Sequence, residues 1–349
     1  MSIINQLAAT LVLASTACSS ALAVTANSHA PIGVMGDHMH KIGEVMLSYR
    51  YMHMDMRGNR DGSDDVSATE IATTVPNRFF GAAGQPPTLR VVPTKMTMDM
   101  HMVGAMYAPS DEITLMAMTS YIKKDMDHVT FRGGKGAVIR GGFNTQTSGL
   151  GDTRLSALIK LNEQWHATVG VSLPTGSIDE SGKILAPTGA TPSPRLPYPM
   201  QLGSGTYDLL AGLTYSSSNH HSDLGWGAQW ASVIRTGSND ESYTLGDEHK
   251  VSVWSDYQFS HRVSTSLRLN YMQRDNIDGI DAKIAAPVQT ADPSNHAVQR
   301  IDASAGVNWL LAGHKHRLAL ELSKPIWQDL DGPQLKVRAT TTVGWQYAF

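Results

Sequence analysis

The last fifteen residues of the chain alternate between two kinds of side chain. Every odd position from Leu335 to Phe349 is apolar, aromatic or Thr, whereas the even positions are Lys, Arg, Thr, Gly, Gln or Ala. Successive side chains of a β-strand point to opposite faces, so the pattern predicts a strand with lipid on one face and a polar lumen on the other. A half-buried edge strand of a soluble sandwich is the alternative interpretation.

The composition favours a membrane barrel and excludes several other classes. Mean hydropathy is −0.20 and net charge is −3. After the leader, no apolar run approaches the roughly 18 residues of a transmembrane helix. The single cysteine, Cys18, lies in that leader, which excludes Cys-based catalysis and thiolate metal sites in the mature chain. The charge balance gives no reason to expect nucleic acid as a partner.

Residues 1–23 have the pattern of a secretory signal peptide. An apolar stretch from Leu7 to Ala17 precedes Ala21–Ala23, which matches an A-x-A cleavage site, although no Lys or Arg precedes the stretch. We expect residues 24–42 to form an N-terminal periplasmic segment. Residues 43–349 then form one β-barrel in the bacterial outer membrane.

The same alternation, followed backward along the chain, predicts about twelve antiparallel strands. Short turns separate pairs of strands, and they alternate with longer segments rich in Gly, Pro, Asp, Asn and Ser. This is typical of a barrel with short periplasmic turns and long external loops. The predicted strands lie near 43–57, 94–108, 112–124, 150–161, 165–175, 205–217, 223–236, 246–259, 262–274, 298–311, 315–325 and 335–349.

Residue parity sorts the predicted strands into a lipid face and a lumen face. The predicted lumen is polar and carries charges of both signs, either as a network of paired charges that rigidifies a small barrel or as the lining of a solute path. The charged residues predicted to face the lumen are Asp152, Arg154, Lys160, Asp208, Arg235, Asp256, Arg262, Arg268, Arg300, Asp302, Arg317, Glu321, Lys336 and Arg338.

Methionine is the second unusual feature, because 14 of the 17 methionines lie between Met35 and Met126. Val45, Leu47 and Tyr49 form the predicted lipid face of the first strand, so even positions face the lumen, and the next two strands have the same parity. We therefore expect one patch of inner wall to bind ligand. It consists of Met46, Arg50, Met52, Met54, Met56, Met96, Met98, Met100, Met102, Met106, Met116 and Met118.

This register places several polar residues on the outward face of the first two strands. His53, Asp55 and Arg57 face outward on the first strand, and Asp99 and His101 do so on the second. Charges in lipid are unfavourable. The conflict disappears if both strands extend beyond the membrane into the external rim, because these positions lie at the loop end of each strand.

A metal site is the alternative function. Thioether sulfur selects Cu(I), so methionine interspersed with histidine is compatible with a copper- or silver-binding barrel that carries Cu(I) as its cofactor. Its ligands would be His38, Met39, His40, His53 and His101. The simpler interpretation needs no cofactor: flexible methionine fills an irregular lumen or holds an apolar solute.

Five stretches resemble the outer-membrane transporters of the meta-pathway phenol-degradation family. They are Ala30–Lys41 (APIGVMGDHMHK), Met46–Met52 (MLSYRYM), Met98–Met102 (MDMHM), Ser148–Asp152 (SGLGD) and Val171–Ser177 (VSLPTGS). The likeness extends over most of the mature chain. It implies a barrel associated with the passage of small, often aromatic or apolar compounds, and it transfers no defined substrate residues.

The sequence predicts a transporter that is not an enzyme. It contains no G-x-S-x-G, H-E-x-x-H, P-loop or dinucleotide motif, and the acidic pair beside His249 is typical of solvated surface. The expected partners are outer-membrane lipid, a small solute and the barrel-assembly machinery, because the C-terminal strand resembles those by which outer-membrane barrels are recognised. A purely structural or adhesive barrel is an alternative, and the sequence carries no signal for an oligomeric state.

Overall fold

The computed structural model describes residues 29–217, 223–311, 313 and 315–349. The predicted signal peptide, residues 24–28 of the N-terminal segment and the predicted turn at 218–222 lie outside the described residues. The strands are β1 Val45–Gly62, β2 Asp64–Val66, β3 Val91–Ser110, β4 Ile113–Phe131, β5 Ile139–Leu150, β6 Thr153–Lys160, β7 Trp165–Leu173, β8 Asp208–Ser216, β9 Leu224–Arg235, β10 Tyr243–Thr244, β11 Glu248–Ser260, β12 Val263–Arg274, β13 Asp278–Gly279, β14 Val298–Leu311 and β15 His316–Ala348.

Eleven of these strands close into an antiparallel ring. The order is β1-β3-β4-β6-β7-β8-β9-β11-β12-β14-β15, and β15 pairs with β1 to complete the barrel. The 33-residue β15 crosses the wall twice, since its first half pairs with β14 and its second half with β1. The wall therefore has twelve crossings, and the prediction of an all-β barrel of about twelve strands is confirmed. Closure leaves no open sheet edge in the hydrocarbon layer.

Each methionine-bearing strand is longer than any other single crossing of the wall. β1, β3 and β4 have 18, 20 and 19 residues, against the roughly 9–11 that a tilted membrane strand needs. They therefore extend past the membrane into the external rim, as the position of the outward charges predicted. The predicted strand near 112–124 ends too early and the segment between it and the one near 150–161 is not all loop, because β4 continues to Phe131 and pairs there with β5. Polar residues occupy both faces in this region, so no lipid-facing pattern marks it.

The outer surface is an apolar belt with aromatic residues at its edge. At the short-turn end, Trp165, Tyr215 and Trp226 pack in sequence, with ring centroids 5.1 and 4.7 Å apart. Aromatic side chains at this depth are typical of the membrane interface. Exposed apolar residues of the belt include Leu47, Val103, Leu115, Leu155, Val169, Val171, Leu209, Leu213, Val251, Val253, Leu267, Leu269, Leu318, Leu322 and Val343.

A bulge reverses the parity of the last strand near the external rim. Asp55 pairs with Ala339 while Met56 pairs with Val337, so one residue is skipped between them. Val337 is buried, and Lys336 instead lies beside Asp65 on the outer surface. The prediction that Lys336 and Arg338 face the lumen is therefore wrong. Strict alternation along the sequence cannot reveal an extra residue in a strand.

Among the described residues, helical structure is found in the external loops. Ser67 accepts a hydrogen bond from the Glu70 backbone N–H at 3.1 Å and so caps α1 (Ala68–Thr74). Ile71 of this helix is fully buried near the rim, and short 3-10 helices occupy Tyr198–Met200 and Gln289–Ala291. Within the described part of the chain, no helix is long and apolar enough to cross a membrane.

Candidate functional site

Residues 29–44, here called the plug, fold into the lumen at the short-turn end. Side chains from several strands of the ring form hydrogen bonds with backbone atoms of the plug. Gln229 of β9 donates to the Met35 carbonyl at 2.8 Å, and His166 of β7 donates to the Gly36 carbonyl at 2.9 Å. The hydroxyl of Thr114 on β4 accepts from the His40 backbone N–H at 3.0 Å. The described part of the N-terminal segment thus lies within the ring.

The plug packs closely against the wall. Ile32 and Val34 are each 2 % exposed, and Val34 contacts Trp254 of β11. A Cβ added at Gly344 would lie 2.6 Å from the Ile32 side chain, so glycine is needed there for close approach. The cavity between the plug and the neighbouring wall has a volume of about 20 Å³, which is room for about one water.

Above the plug, methionine side chains form a ladder across β1 and β3. Met46 lies opposite Met106, Met52 opposite Met100, and the same register continues to the rim. Directly opposed residues on one face are neighbours in contact range. We call this surface the methionine wall: Met46, Met52, Met54, Met56, Met96, Met98, Met100, Met102, Met106, Met116, Met118 and Met126.

The two ends of the methionine wall are covered, and its middle is more open. At the inner end, Met46 and Met106 are buried against Leu158, with Met39 of the plug beside them. At the outer end, the wall packs beneath an external loop, in a cluster of Met56, Met96, Met126, Ile184, Leu196, Met200 and Leu335. The methionines between these two contacts are only half-buried: Met52, Met54, Met98, Met100, Met102 and Met118.

The part of the wall formed by β12, β14 and the first half of β15 carries ion pairs. Arg268 of β12 and Glu321 of β15 lie 2.6 Å apart, and Arg300 and Asp302 of β14 lie 2.9 Å apart. Buried charges are stable only when they are paired and hydrogen-bonded. These pairs support the predicted network of paired charges in the lumen. The interior therefore has a charged surface here and an apolar surface at the methionine wall.

Three positively charged side chains, those of Lys124, Arg154 and Arg274, face the lumen near the methionine wall. Lys124 on β4 donates to the Gln201 carbonyl, and Arg274 on β12 donates to the His296 carbonyl at 3.1 Å. Arg154 on β6 is exposed to the lumen beside Met118. The charges of Arg154 and Arg274 both act on Glu248, and the charge of Arg274 also acts on Lys124. These four side chains therefore belong to the same region of the interior.

The predicted metal ligands are divided between two faces of the barrel. His38 and His40 lie in the plug with ring centroids 4.8 Å apart, and Met39 between them packs against the wall. His53 lies on the outer face, 2.7 Å from Asp99, and His101 bonds to the Tyr49 hydroxyl there. The structure does not bring the five predicted ligands together.

Two plug residues outside the predicted set complete a polar cluster with His38. They are His29 and Asp37, and the His29 ring lies 4.8 Å from that of His38. Burial and the Arg317 charge hold the pKa of His29 well below its usual value. Burial alone would raise the pKa of Asp37, but His38 and Arg317 together hold it well below its usual range. Burial alone would lower the pKa of His38, but the Asp37 carboxylate raises it above its usual value.

Several contributors to the interior were not predicted from the sequence. Met126 has the parity of the methionine wall, but the predicted strand ended at residue 124. Met200 and Leu196 reach the wall from a loop, where no periodicity marks them. Only the local richness in methionine hinted at Met126, and no sequence signal marked the loop residues.

The fold is that of an outer-membrane channel. The chain superposes on the COG4313 outer membrane channel from Pseudomonas putida F1 with a TM-score of 0.57 and 15% identity, covering 90% of this chain and 99% of that one. Weaker superpositions include a Pseudomonas aeruginosa FadL homologue (TM-score 0.44, 11% identity, 87% and 90% covered) and the Ralstonia pickettii toluene transporter TbuX (0.45, 10%, 89% and 90%). No protein-family model matches the chain, and no curated protein matches it in sequence. The chain therefore has the fold of an outer-membrane β-barrel, with a plug in its lumen.

Proposed function

We propose that the barrel transports small solutes with an apolar, often aromatic, body and a polar or anionic group. The observation that carries this proposal is the contrast between the two inner walls. A ring or chain packs on the half-buried methionines, whose flexible, polarisable side chains adapt to irregular shapes. Arg154, Lys124 and Arg274 then face the polar group of the solute. Binding at such a surface stays weak, as transit requires.

The resemblance to the meta-pathway phenol-degradation transporters supports the same proposal, and we infer that the chain is one of them. The stretches that carry the resemblance cluster around the interior. Ala30–Lys41 is most of the plug, and Met98–Met102 belongs to the methionine wall. Asp152, at the end of another stretch, accepts hydrogen bonds from the backbone N–H groups of Gly176 and Ser204 at 3.0 and 2.8 Å. The matching P. putida protein is itself described as an outer membrane channel.

In the proposed mechanism, a solute enters between the external loops, rests on the methionine wall and leaves after the plug moves. The barrel supplies binding and orientation and leaves the solute chemically unchanged. Outer-membrane lipid surrounds the apolar belt, and the C-terminal strand is the segment offered to the assembly machinery. Two backbone hydrogen bonds of 2.9 Å join Phe349 and Val45, and each residue donates one of them, so this strand is also the one that closes the ring.

Single-channel recording of the full chain with benzoate and acetate tests the proposal. Both anions share a carboxylate, but only benzoate carries a ring for the methionine wall. We expect benzoate to block the current at roughly tenfold lower concentration, because burial of one ring face contributes about 1–2 kcal/mol. Absence of any conductance, or equal block by both anions, contradicts the proposal.

A pair of double variants identifies the surface responsible. Met52 and Met100 are opposed in the middle of the wall, so Met52→Gln/Met100→Gln makes that spot polar at similar side-chain length. We expect this variant to lose the preference for benzoate. The matched control, Met52→Leu/Met100→Leu, remains apolar and keeps the preference, which would also show that the sulfur atoms are not needed as metal ligands for transport.

A further inference from the structure

The plug contains a compact group of metal-ligating side chains. His29, Asp37 and His38 each offer one ligand atom, and the three atoms all lie within 4.8 Å of one another. Asp37 is buried and both imidazoles are half-buried. The His38 Nδ1 atom lies 3.1 Å from an Asp37 carboxylate oxygen. The cluster is thus enclosed by the barrel and already nearly assembled.

Two neighbouring imidazoles have ring nitrogens without a partner. Among the described residues, His29 Nδ1 and His40 Nε2 are buried atoms with no hydrogen bond. Buried polar atoms are nearly always bonded, and an exception in a native site often marks an absent ion or water. Both nitrogens belong to the same group of rings packed edge to face, in which His38 lies between His29 and His40.

We propose that His29, Asp37 and His38 bind a divalent transition-metal cation such as Zn²⁺, and that the bound cation fastens the plug inside the barrel. Two imidazoles and one carboxylate are a common ligand set for such ions. Water or the neighbouring His40 completes the coordination. This site differs from a thioether copper site, since none of its three ligands is a methionine.

The geometry requires the side chains to rotate inward by about 1 Å. Zinc bonds to nitrogen and oxygen are about 2.0–2.2 Å long and point to the corners of a tetrahedron, so two ligand atoms on one ion lie roughly 3.3–3.6 Å apart. The present spread of up to 4.8 Å exceeds that separation by about 1.2–1.5 Å, which side-chain rotation can close. The Asp37 carboxylate is held in place, because it accepts the Ala30 backbone N–H at 2.9 Å.

The charges around the cluster permit a cation. The charge of Arg317 acts on all three proposed ligands, but its N–H groups donate to the carbonyl of Ala30 and to the side chains of Asn308 and Gln346. Further out, carboxylates balance the guanidinium groups. The charged neighbours are the guanidinium groups of Arg50, Arg268 and Arg317, and the carboxylates of Asp37, Glu44, Asp256 and Glu321.

The position of the ligands explains the proposed effect on the plug. His29 lies at one end of the described plug and Asp37–His38 lies eight to nine residues later, so one ion closes a loop within the plug. Closing a loop removes conformational freedom from the released state, and a ligand that binds only the folded plug stabilises it. Metal binding therefore favours the plugged barrel.

Calorimetric titration of ZnCl₂ into the chelator-treated full chain in detergent tests the site. We expect one saturable site per chain. The variant His29→Ala/His38→Ala should bind at least about tenfold more weakly, since loss of even an outer-shell partner commonly has that effect. His53→Ala/His101→Ala is the matched control with two imidazoles removed from the outer face, and it should bind as the native chain does. Absence of saturable binding, or equal loss in both variants, overturns the site.

Single-channel recording in the presence of Zn²⁺ tests the fastening of the plug. At saturating Zn²⁺ we expect fewer openings of the native chain and no change in His29→Ala/His38→Ala. A native current that does not respond to Zn²⁺ while calorimetry shows the site filled overturns the fastening. Retention of the heat-modifiable, folded band on gels establishes that each variant has formed its barrel. The calorimetric result is independent of any solute, so it is separate from the test of transport.

Discussion

Gln229 on β9 donates a 2.8 Å hydrogen bond to the carbonyl of Met35 in the plug. β9 lies six positions around the ring from β1, whose Arg50 contacts the Met35 sulfur from the other side. One plug residue is therefore held from opposite walls of the barrel. Such contacts make the plug part of the folded interior, and they identify the places where its release can be tested.

Removing two wall-to-plug hydrogen bonds should open the barrel more often. In Gln229→Ala/His166→Ala the plug loses its bonds to two strands, at about 1 kcal/mol each. We expect the open-state population in single-channel recordings to rise by roughly thirtyfold. Ser255→Ala is the control, because its hydroxyl bonds to Gly225 within the wall and does not touch the plug. An unchanged open probability in the double variant would show that these bonds do not hold the plug.

Filling the space at Gly344 should displace the plug while leaving the barrel intact. A Cβ at this position would meet the Ile32 side chain at 2.6 Å, and Ile32 is 2 % exposed and has little room to move. We expect Gly344→Ala to increase channel opening. Adding Ile32→Ala should restore closure, since it removes the clashing atoms.

The control for this substitution is Gly237→Ala, where an added Cβ meets nothing within 4 Å. It should behave as the native chain does. If Gly344→Ala/Ile32→Ala opens as often as Gly344→Ala alone, the clash with Ile32 is not the cause of opening. Overpacking typically destabilises by about 1–3 kcal/mol, enough to change the open population measurably.

Arg90 should hold the external rim together. Its side chain is completely buried, and it donates to the carbonyls of Ala72, Arg132 and Gly133 at 2.9–3.0 Å. Arg90→Met leaves these carbonyls without a partner, so we expect the rim to lose at least about 3 kcal/mol. Faster cleavage of the loop between β1 and β3 by chymotrypsin measures this loss.

The control for the rim is another arginine in the same loop. Arg78 makes an exposed ion pair of 3.0 Å with Asp292, and exposed pairs contribute about 0–1 kcal/mol. Arg78→Met should therefore be cleaved at nearly the native rate. Equal cleavage of both variants would mean that burial of Arg90 adds nothing to rim stability.

Acid should loosen the loop that contains His296. Burial and the nearby Arg274 charge lower the pKa of His296 to about 3, whereas in an opened loop it returns to about 6.5. The opened loop therefore binds more protons below pH 6.5, and the closed loop loses stability as pH falls from there toward 3. At pH 5 the loss is on the order of 1–2 kcal/mol.

Limited proteolysis of the segment between β12 and β14 at pH 7.5 and pH 5 measures this effect. The native chain should be cleaved faster at pH 5, and His296→Gln should lose most of the pH dependence. His261→Gln, in an exposed turn at the other end of the barrel, should retain it. A native chain equally protected at both pH values would exclude His296 as the acid-sensitive group.

The barrel wall was predictable from the sequence because a membrane strand is a local pattern. Each strand has one face in contact with lipid and the other facing the lumen. The alternation of side chains therefore located nearly all the strands, including the extended β1 and β3. The same alternation placed the methionines on one face. It did not find β5, whose two faces are both polar, or the bulge before Ala339, where one extra residue reverses the parity.

The amino-acid sequence alone determined the closed barrel, its two faces and its methionine wall, since all three follow from period-two spacing and the exclusion of charge from lipid. Only the tertiary structure decided that residues 29–44 enter the lumen and that His29 joins Asp37 and His38. It also decided that Met200 covers the wall. These contacts join residues distant in sequence through irregular backbone, where no repeating pattern indicates which partner a side chain will meet.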